Sequence, residues 1–222
     1  MSRLSGRPAS RRGVGVRPLR RPRTYHHGDL RTAVLDQVRR IIREQGVSVV
    51  SIREVARRAR VSHAAPSHHF GNKAGLLTAF AIQGYDRLAD TVTADIAAAG
   101  VRTPPDALAV MGQAYVRFAL ENPEHFGVMF PGELVNEEDP EYIRATNRCY
   151  GPLMDVVAKG SAQGTLQADV KLVATSAWSL VHGLASLWLS GRIQDRTGAT
   201  DAKALAKAVT ELFVEKMLRR KS

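Results

Sequence analysis

The sequence predicts an all-α protein, with a three-helix head over residues 25–75 and a larger helical body over 76–222. Three observations predict it. Apolar residues recur at helical spacing through nearly every segment after residue 26, the mark of amphipathic helices. Few segments alternate polar and apolar as strands do. Glycine and proline fall between the periodic stretches, at Gly46, Gly100, Pro104-Pro105, Pro131-Gly132 and Gly191, where they stop and start helices. The chain carries no internal repeat.

Residues 51–70, SIREVARRARVSHAAPSHHF, organise the head. Ser51 is a good N-cap, and Glu54, three residues on, can reach back to it as a capping box. Ile52, Val55, Ala56 and Ala59 form the apolar stripe of a first short helix, and the small Ala56 lets a second helix cross closely. Val61 reads as a buried turn residue, and Ser62 as the cap of the second helix. That helix is polar outside, with His63, Ala64, Ser67 and His68. Small and polar residues on a short exposed helix let a backbone come close to base edges in a major groove. Two helices joined by a tight turn in this way form a helix-turn-helix. Ahead of them, residues 27–45 place Leu30, Ala33, Val34, Val38, Ile41 and Ile42 at helical spacing, and Gly46 ends the run.

The body reads as further helices. Residues 73–99 carry Leu77, Phe80, Gly84, Leu88, Val92 and Ile96, and span roughly 40 Å, enough to run from the head into the body. Residues 106–121 carry Leu108, Met111, Tyr115 and Phe118. A short segment from Pro123 holds Phe126, Val128, Met129 and Phe130. An acidic loop at 136–139 leads into a helix over 141–163, which Pro152 should kink. Asp169 caps a helix to about Ser190, with Leu172, Ser176, Leu180, Gly183 and Leu187 on one stripe and Trp178, His182 and Leu189 near another. Gly191 and Thr197-Gly198 read as a loop. Thr200 or Asp201 starts the last helix, with Leu205, Val209, Leu212, Phe213 and Met217. Arg219, Arg220 and Lys221 suit its C-terminal dipole.

The net charge of +11 is unevenly placed. Residues 1–24 carry eight arginines and no acid, residues 25–75 nine basic against four acidic, and the remainder fifteen against seventeen. This is the footprint of a polyanion-binding end, or a solvated surface with a basic tail. Residues 1–24 lack apolar periodicity and read as a disordered arm. They also lack the apolar core of a secretion signal. No eighteen consecutive residues are apolar, so no membrane span is expected. Cys149 is the one cysteine, so an intrachain disulfide is impossible, which suits a reducing cytoplasm. No His/Cys spacing suits zinc, and neither metal nor cofactor is expected.

The flanks make the head pattern specific. Tyr25-His26-His27-Gly28-Asp29-Leu30 precedes the first helix; His69-Phe70-Gly71-Asn72-Lys73 and Leu76-Leu77 follow the helix-turn-helix. Residues 25–77 resemble the DNA-binding head of the TetR family of bacterial transcriptional regulators. Trp178-x-x-x-His182-Gly183 resembles a subgroup whose C-terminal domain carries a Trp-His-Gly signature. The resemblance implies a ligand-responsive regulator, usually a repressor, that binds double-stranded operator DNA as a homodimer. It implies a ligand cavity in the body, pairing of two chains through the last two long helices, and movement of the 73–99 helix as the link. It also implies that Lys73 contacts a backbone phosphate and that His69 contacts or supports the backbone. The sequence departs from the family at three positions. Arg60 stands where a turn glycine is usual, which requires a strained positive φ. Pro66 stands in the recognition helix, pushing Ala65 away from the helical region. Ser67 replaces a phosphate-contacting tyrosine.

Ser51, Arg53 and Ser62 suit phosphate contacts that set register. His63 and His68 suit the DNA face rather than a metal, since no carboxylate or cysteine shares their helix. Ser67 lies on the same helix. Ala64 suits a thymine methyl or plain packing. In the body, Met111, Tyr115, Phe118, Phe126, Met129, Phe130, Trp178 and His182, with Trp188 nearby, line a pocket or pack a core; His182 bonds a ligand or a core partner. None of the eight is charged at neutral pH except through His182, so a small hydrophobic or aromatic effector is expected. Cys149 with His182, or Glu133, Glu137 and Glu138, are the components an enzyme would use, but no nucleophile elbow or phosphate loop accompanies them, and no catalysis is expected. The competing reading is a non-specific architectural DNA-binding protein with no effector.

Overall fold

A computed structural model describes residues 27–166 and 169–217. The arginine-rich arm, Tyr25-His26 and the basic end at 219–221 lie outside the described residues. Ten α-helices follow in order: α1 (His27–Gln45), α2 (Ile52–Ala59), α3 (Ala64–Phe70), α4 (Lys73–Ala99), α5 (Pro104–Glu121), α6 (Pro123–Met129), α7 (Pro140–Ala162), α8 (Val170–Leu189), α9 (Arg192–Thr197) and α10 (Ala202–Met217). Among the described residues no strand forms.

The helices begin where side chains can satisfy their free N–H groups. Ser51 accepts from Glu54 N, Asn72 from Gly75 N, Thr103 from Asp106 N, Asp139 from Glu141 and Tyr142 N, and Asp169 from Leu172 N. Glycines in the left-handed region close α4 and bracket α9. The helix α9 stands where the sequence reads as a loop; six residues are too few to show a period. Pro152 sits inside α7, which continues beyond it to Ala162.

One apolar cluster runs through head and body. It begins with Val34, Leu35, Val38 and Ile41 of α1, passes through Leu76, Leu77 and Phe80 of α4, and reaches Phe118 of α5 and Met129 of α6. The sequence boundary at residue 75/76 therefore falls inside α4, whose buried face belongs to both parts. Gly84 marks the crossing of α4 over α6: a Cβ there would meet Met129 Sδ at 2.7 Å. A second cluster, with Leu108, Val157, Val173 and Ala177, packs α5, α7 and α8 together.

In α8 the buried residues are Val173, Ala174, Ala177, Val181, Leu184 and Ala185. The small residues Ala174, Ala177 and Ala185 are buried within this chain, so they do not offer a second chain a close approach. The stripe that carries Leu172 and Leu187 points outward: Leu172 is 60% exposed and Leu187 47%. By length and composition alone α8 is apolar enough to cross a membrane, as the core helices of globular proteins also are, but Lys171, Ser179 and His182 interrupt any continuous apolar run. Its apolar residues divide between a face packed on α5, α7 and α10 and this outward stripe.

Candidate DNA-binding face and ligand cavity

The turn between α2 and α3 is built on Arg60, at φ 56° and ψ 41°, the one described non-glycine residue with positive φ. Its N–H donates to Ala56 O and Arg57 O, and the Val61 N–H donates to Ala56 O. These bonds satisfy the end of α2 and hold a left-handed residue that lacks glycine's freedom. Val61 is half-buried rather than buried. The capping box is half formed: Ser51 caps, but the Glu54 carboxylate turns to Arg57 and Arg58. Hydrogen bonds from Arg57 and Arg58 hold the Glu54 carboxyl down to about 2. Ser62 is not a side-chain cap. The helix α3 starts after His63 with no side-chain cap bond, and Ser62 offers its carbonyl to Ala65 N at 3.1 Å. Nor does Pro66 displace Ala65, which lies within α3. Proline in the first turn lacks only an N–H that has no intrahelical partner there.

Arg53, Ser62, His63, Ala64, His68 and His69 are exposed, and Ser51, Ser67 and Lys73 are half-buried. Arg53 and His63 border one open groove with Ala56, Arg57 and Val61. Ser67 Oγ donates to His63 O at 3.2 Å. The Lys73 ammonium donates to Ser48 O at 2.9 Å, which ties the start of α4 to the turn between α1 and α2. Arg53 and Arg60 form no ion pair among the described residues, whereas Arg57 and Arg58 are taken up by Glu54 and Glu44.

The body encloses a cavity of about 430 Å³ between α4, α5, α6, α7, α8 and α10, within the range of roughly 300–1,000 Å³ usual for small-molecule sites. Met111, Tyr115, Met129, Phe130 and Trp178 line it. Phe118 does not: it shares the face of Met111 but stands two turns farther along α5, where it is buried in the core cluster. Phe126 and His182 stand behind the lining, their rings 5.3 Å and 4.6 Å from Phe130. His182 Nδ1 pairs with Tyr115 Oη at 2.9 Å, and burial lowers its pKa. Sequence reasoning missed Tyr85, Tyr142, Thr146 and Asn147, and above all Glu137, a charged lining residue where none was expected. Tyr85 and Tyr142 each donate to Met129 O, at 2.6 Å and 3.0 Å. They thereby satisfy a carbonyl at the end of α6. Cys149 Sγ donates to Tyr85 O, and burial pushes its thiol up to about 12. Cys149 and His182 therefore engage different partners.

The short α6 joins this cavity to the head. Met129 at its end lines the cavity, while Glu124 at its start binds Arg39 and Arg43 of α1. Burial works to raise the Glu124 carboxyl, but bonds from Arg43, its own backbone and Arg39 prevail and hold it below the usual range. His125 is buried and stacked on Phe80 of α4, with ring centroids 4.0 Å apart. Burial first, then the charges of Arg87 and Arg39, lower its pKa to about 3.

Residues 34–80 match the family model described as bacterial regulatory proteins, tetR family. Residues 108–213 match that of the tetracyclin repressor-like C-terminal domain. No curated protein matches the chain. Among solved structures, a protein of unknown function from a Rhodococcus species is similar, at 27% identity over 89% of this chain and 100% of that one, with a TM-score of 0.77. The TetR family transcriptional regulator PfmR from Thermus thermophilus shares the fold at 24% identity, over 84% and 99% of the two chains, with a TM-score of 0.64. So does the fatty acid degradation regulator FadR from Bacillus halodurans, at 16% identity over 83% and 94%, with a TM-score of 0.67.

Proposed function

Because the chain belongs to the TetR family of DNA-binding transcription regulators, we propose that it is a ligand-responsive repressor, released from its operator by a small, largely apolar molecule. One observation carries this reading: a single helix, α4, lines the cavity and is anchored at its start to the head. Leu88 and Val92 of α4 line the cavity, and Lys73 at the start of α4 is bonded to the head. Through α6, the cavity wall also reaches α1. A ligand that fits one arrangement of these helices better than another shifts the protein toward it, and the head moves with them.

On the DNA, Arg53, Ser51, Ser62, His69 and Lys73 serve phosphates, while His63, Ala64, Ser67 and His68 lie on the helix that enters the major groove. A homodimer through α8 and α10 places two such helices in successive grooves, roughly 34–36 Å apart. In the cavity, Met111, Tyr115, Met129, Phe130 and Trp178 contact the effector, and His182 acts through Tyr115.

Footprinting beside the gene's own promoter, with and without a panel of small molecules, tests the reading. A compact protected site that one apolar compound abolishes supports it. Protection that spreads without a boundary and ignores every compound replaces it with the architectural reading.

A further inference from the structure

The proposed effector site is not electrically neutral. Of the described side chains lining the cavity, Glu137 alone carries a formal charge, and no described Lys, Arg or His lines it. Nor does Glu137 form an ion pair among the described residues. Its carboxylate lies over Gly132, where a Cβ would come within 2.8 Å of Oε1. The absence of a side chain at 132 thus makes room for the carboxylate at the cavity's edge.

The rest of the lining is uncharged and largely apolar. Leu108, Leu153, Phe213 and Val214 belong to the apolar cluster around α5, α7, α8 and α10. The lining also includes Tyr142, Thr146 and Asn147, all on α7, the helix that follows the Glu137 loop. The chain leading to Gly132 carries Phe130, whose ring is 6.3 Å from Trp178, itself 5.8 Å from Tyr150. Aromatic faces and a carboxylate without a counter-ion both attract a cation and disfavour an anion.

We propose that the effector is an amphiphilic cation: an amine or quaternary ammonium head at Glu137 and the aromatic rings, with an apolar body toward Leu108 and Phe213. This rests on the cavity being the effector site, and deepens that reading by giving the ligand's charge. An acid of the same length would set its carboxylate against Glu137 with no base to receive it.

Calorimetric titration of the full chain and of Glu137→Gln with decylamine, decanol and decanoate at neutral pH tests it. In the wild type the amine binds about tenfold more tightly than the alcohol, the combined effect of one partly solvated ion pair and one cation–π contact, and decanoate binds most weakly. In Glu137→Gln the preference for the amine over the alcohol collapses. Equal binding of all three by the wild type, or an amine preference that survives Glu137→Gln, overturns the inference and leaves the cavity reading standing. Failure of all three to bind overturns both.

Discussion

Glu124 Oε1 of α6 accepts a hydrogen bond from Arg43 Nε of α1 at 2.5 Å, across the seam between head and body. Arg39 Nε reaches the other oxygen at 3.3 Å. The glutamate is 4% exposed, Arg39 32% and Arg43 60%. Only one partner is desolvated, so the pair falls between surface and buried ion pairs.

Glu124→Gln should therefore lower stability by about 1–2 kcal/mol, since the arginines can return to water. Urea titration at fixed protein concentration measures it. Operator affinity without effector should change little, because Glu124 bonds α1 rather than the helix-turn-helix. The effector's ability to release DNA should shrink several-fold, because α6 then grips α1 less firmly. Unimpaired release would leave α4 as the sole route between cavity and head.

His125, next along α6, makes stability fall with acid. Its pKa is about 3 in the fold against an ordinary value near 6.5. The unfolded chain therefore takes up a proton below about pH 6.5 that the folded chain refuses. Stability from this residue is complete above that pH and is lost progressively down to about pH 3. By pH 5 the loss is about 2 kcal/mol. His182, also lowered by burial, adds to the same slope. His125→Asn should flatten the decline between pH 6.5 and 5 in chemical unfolding; an unchanged slope would assign it to other groups.

How legible this protein was in its sequence follows from where its signals lay. The bounds of α1 and α4 could be read because their apolar periods end at glycines with positive φ, Gly46 and Gly100. The strained turn could be read only through the resemblance, in which the position of Arg60 holds a glycine; an arginine by itself gives no sign of positive φ. The faces of α8 could not. Leucine and alanine alternate around the whole helix, and which side is core depends on neighbours distant in the chain. The cavity was half legible for the same reason. Large residues announce themselves, but Phe118 and Met129 look alike until α6 is placed. Glu137 stayed hidden because it is an exposed loop acid that only the fold brings to the cavity.

The outward stripe of α8 continues on α10. Leu212 is 56% exposed, and nothing stands within 4 Å of the space beside Gly183. In a two-fold interface each residue is buried twice. With Leu212 56% exposed, burying that part on both sides contributes about 2–3 kcal/mol. Leu212→Glu removes that and adds two charges, so light scattering at micromolar concentration should record monomers. Gly183→Trp should do the same by holding the helices apart. A dimer mass retained in both variants would move the interface elsewhere.

Lys73 offers the sharpest test of the DNA face, because its two roles have different signatures. Its ammonium already bonds Ser48 O, which leaves two of its three donors for a phosphate. It also stands at the start of α4, where the helix dipole favours an anion. If it meets a phosphate, Lys73→Ala loses one counterion-releasing contact per protomer. Affinity should fall by a similar factor for operator and random DNA, and the slope of log K against log salt should drop by about one unit per protomer. If its work is only to brace the turn at Ser48, the variant should melt earlier and the salt slope should stay as it was. Binding isotherms at four or five salt concentrations, set beside a thermal melt of the same preparation, separate the two. An unchanged slope with lowered stability removes Lys73 from the DNA face and leaves it a brace between α4 and the head.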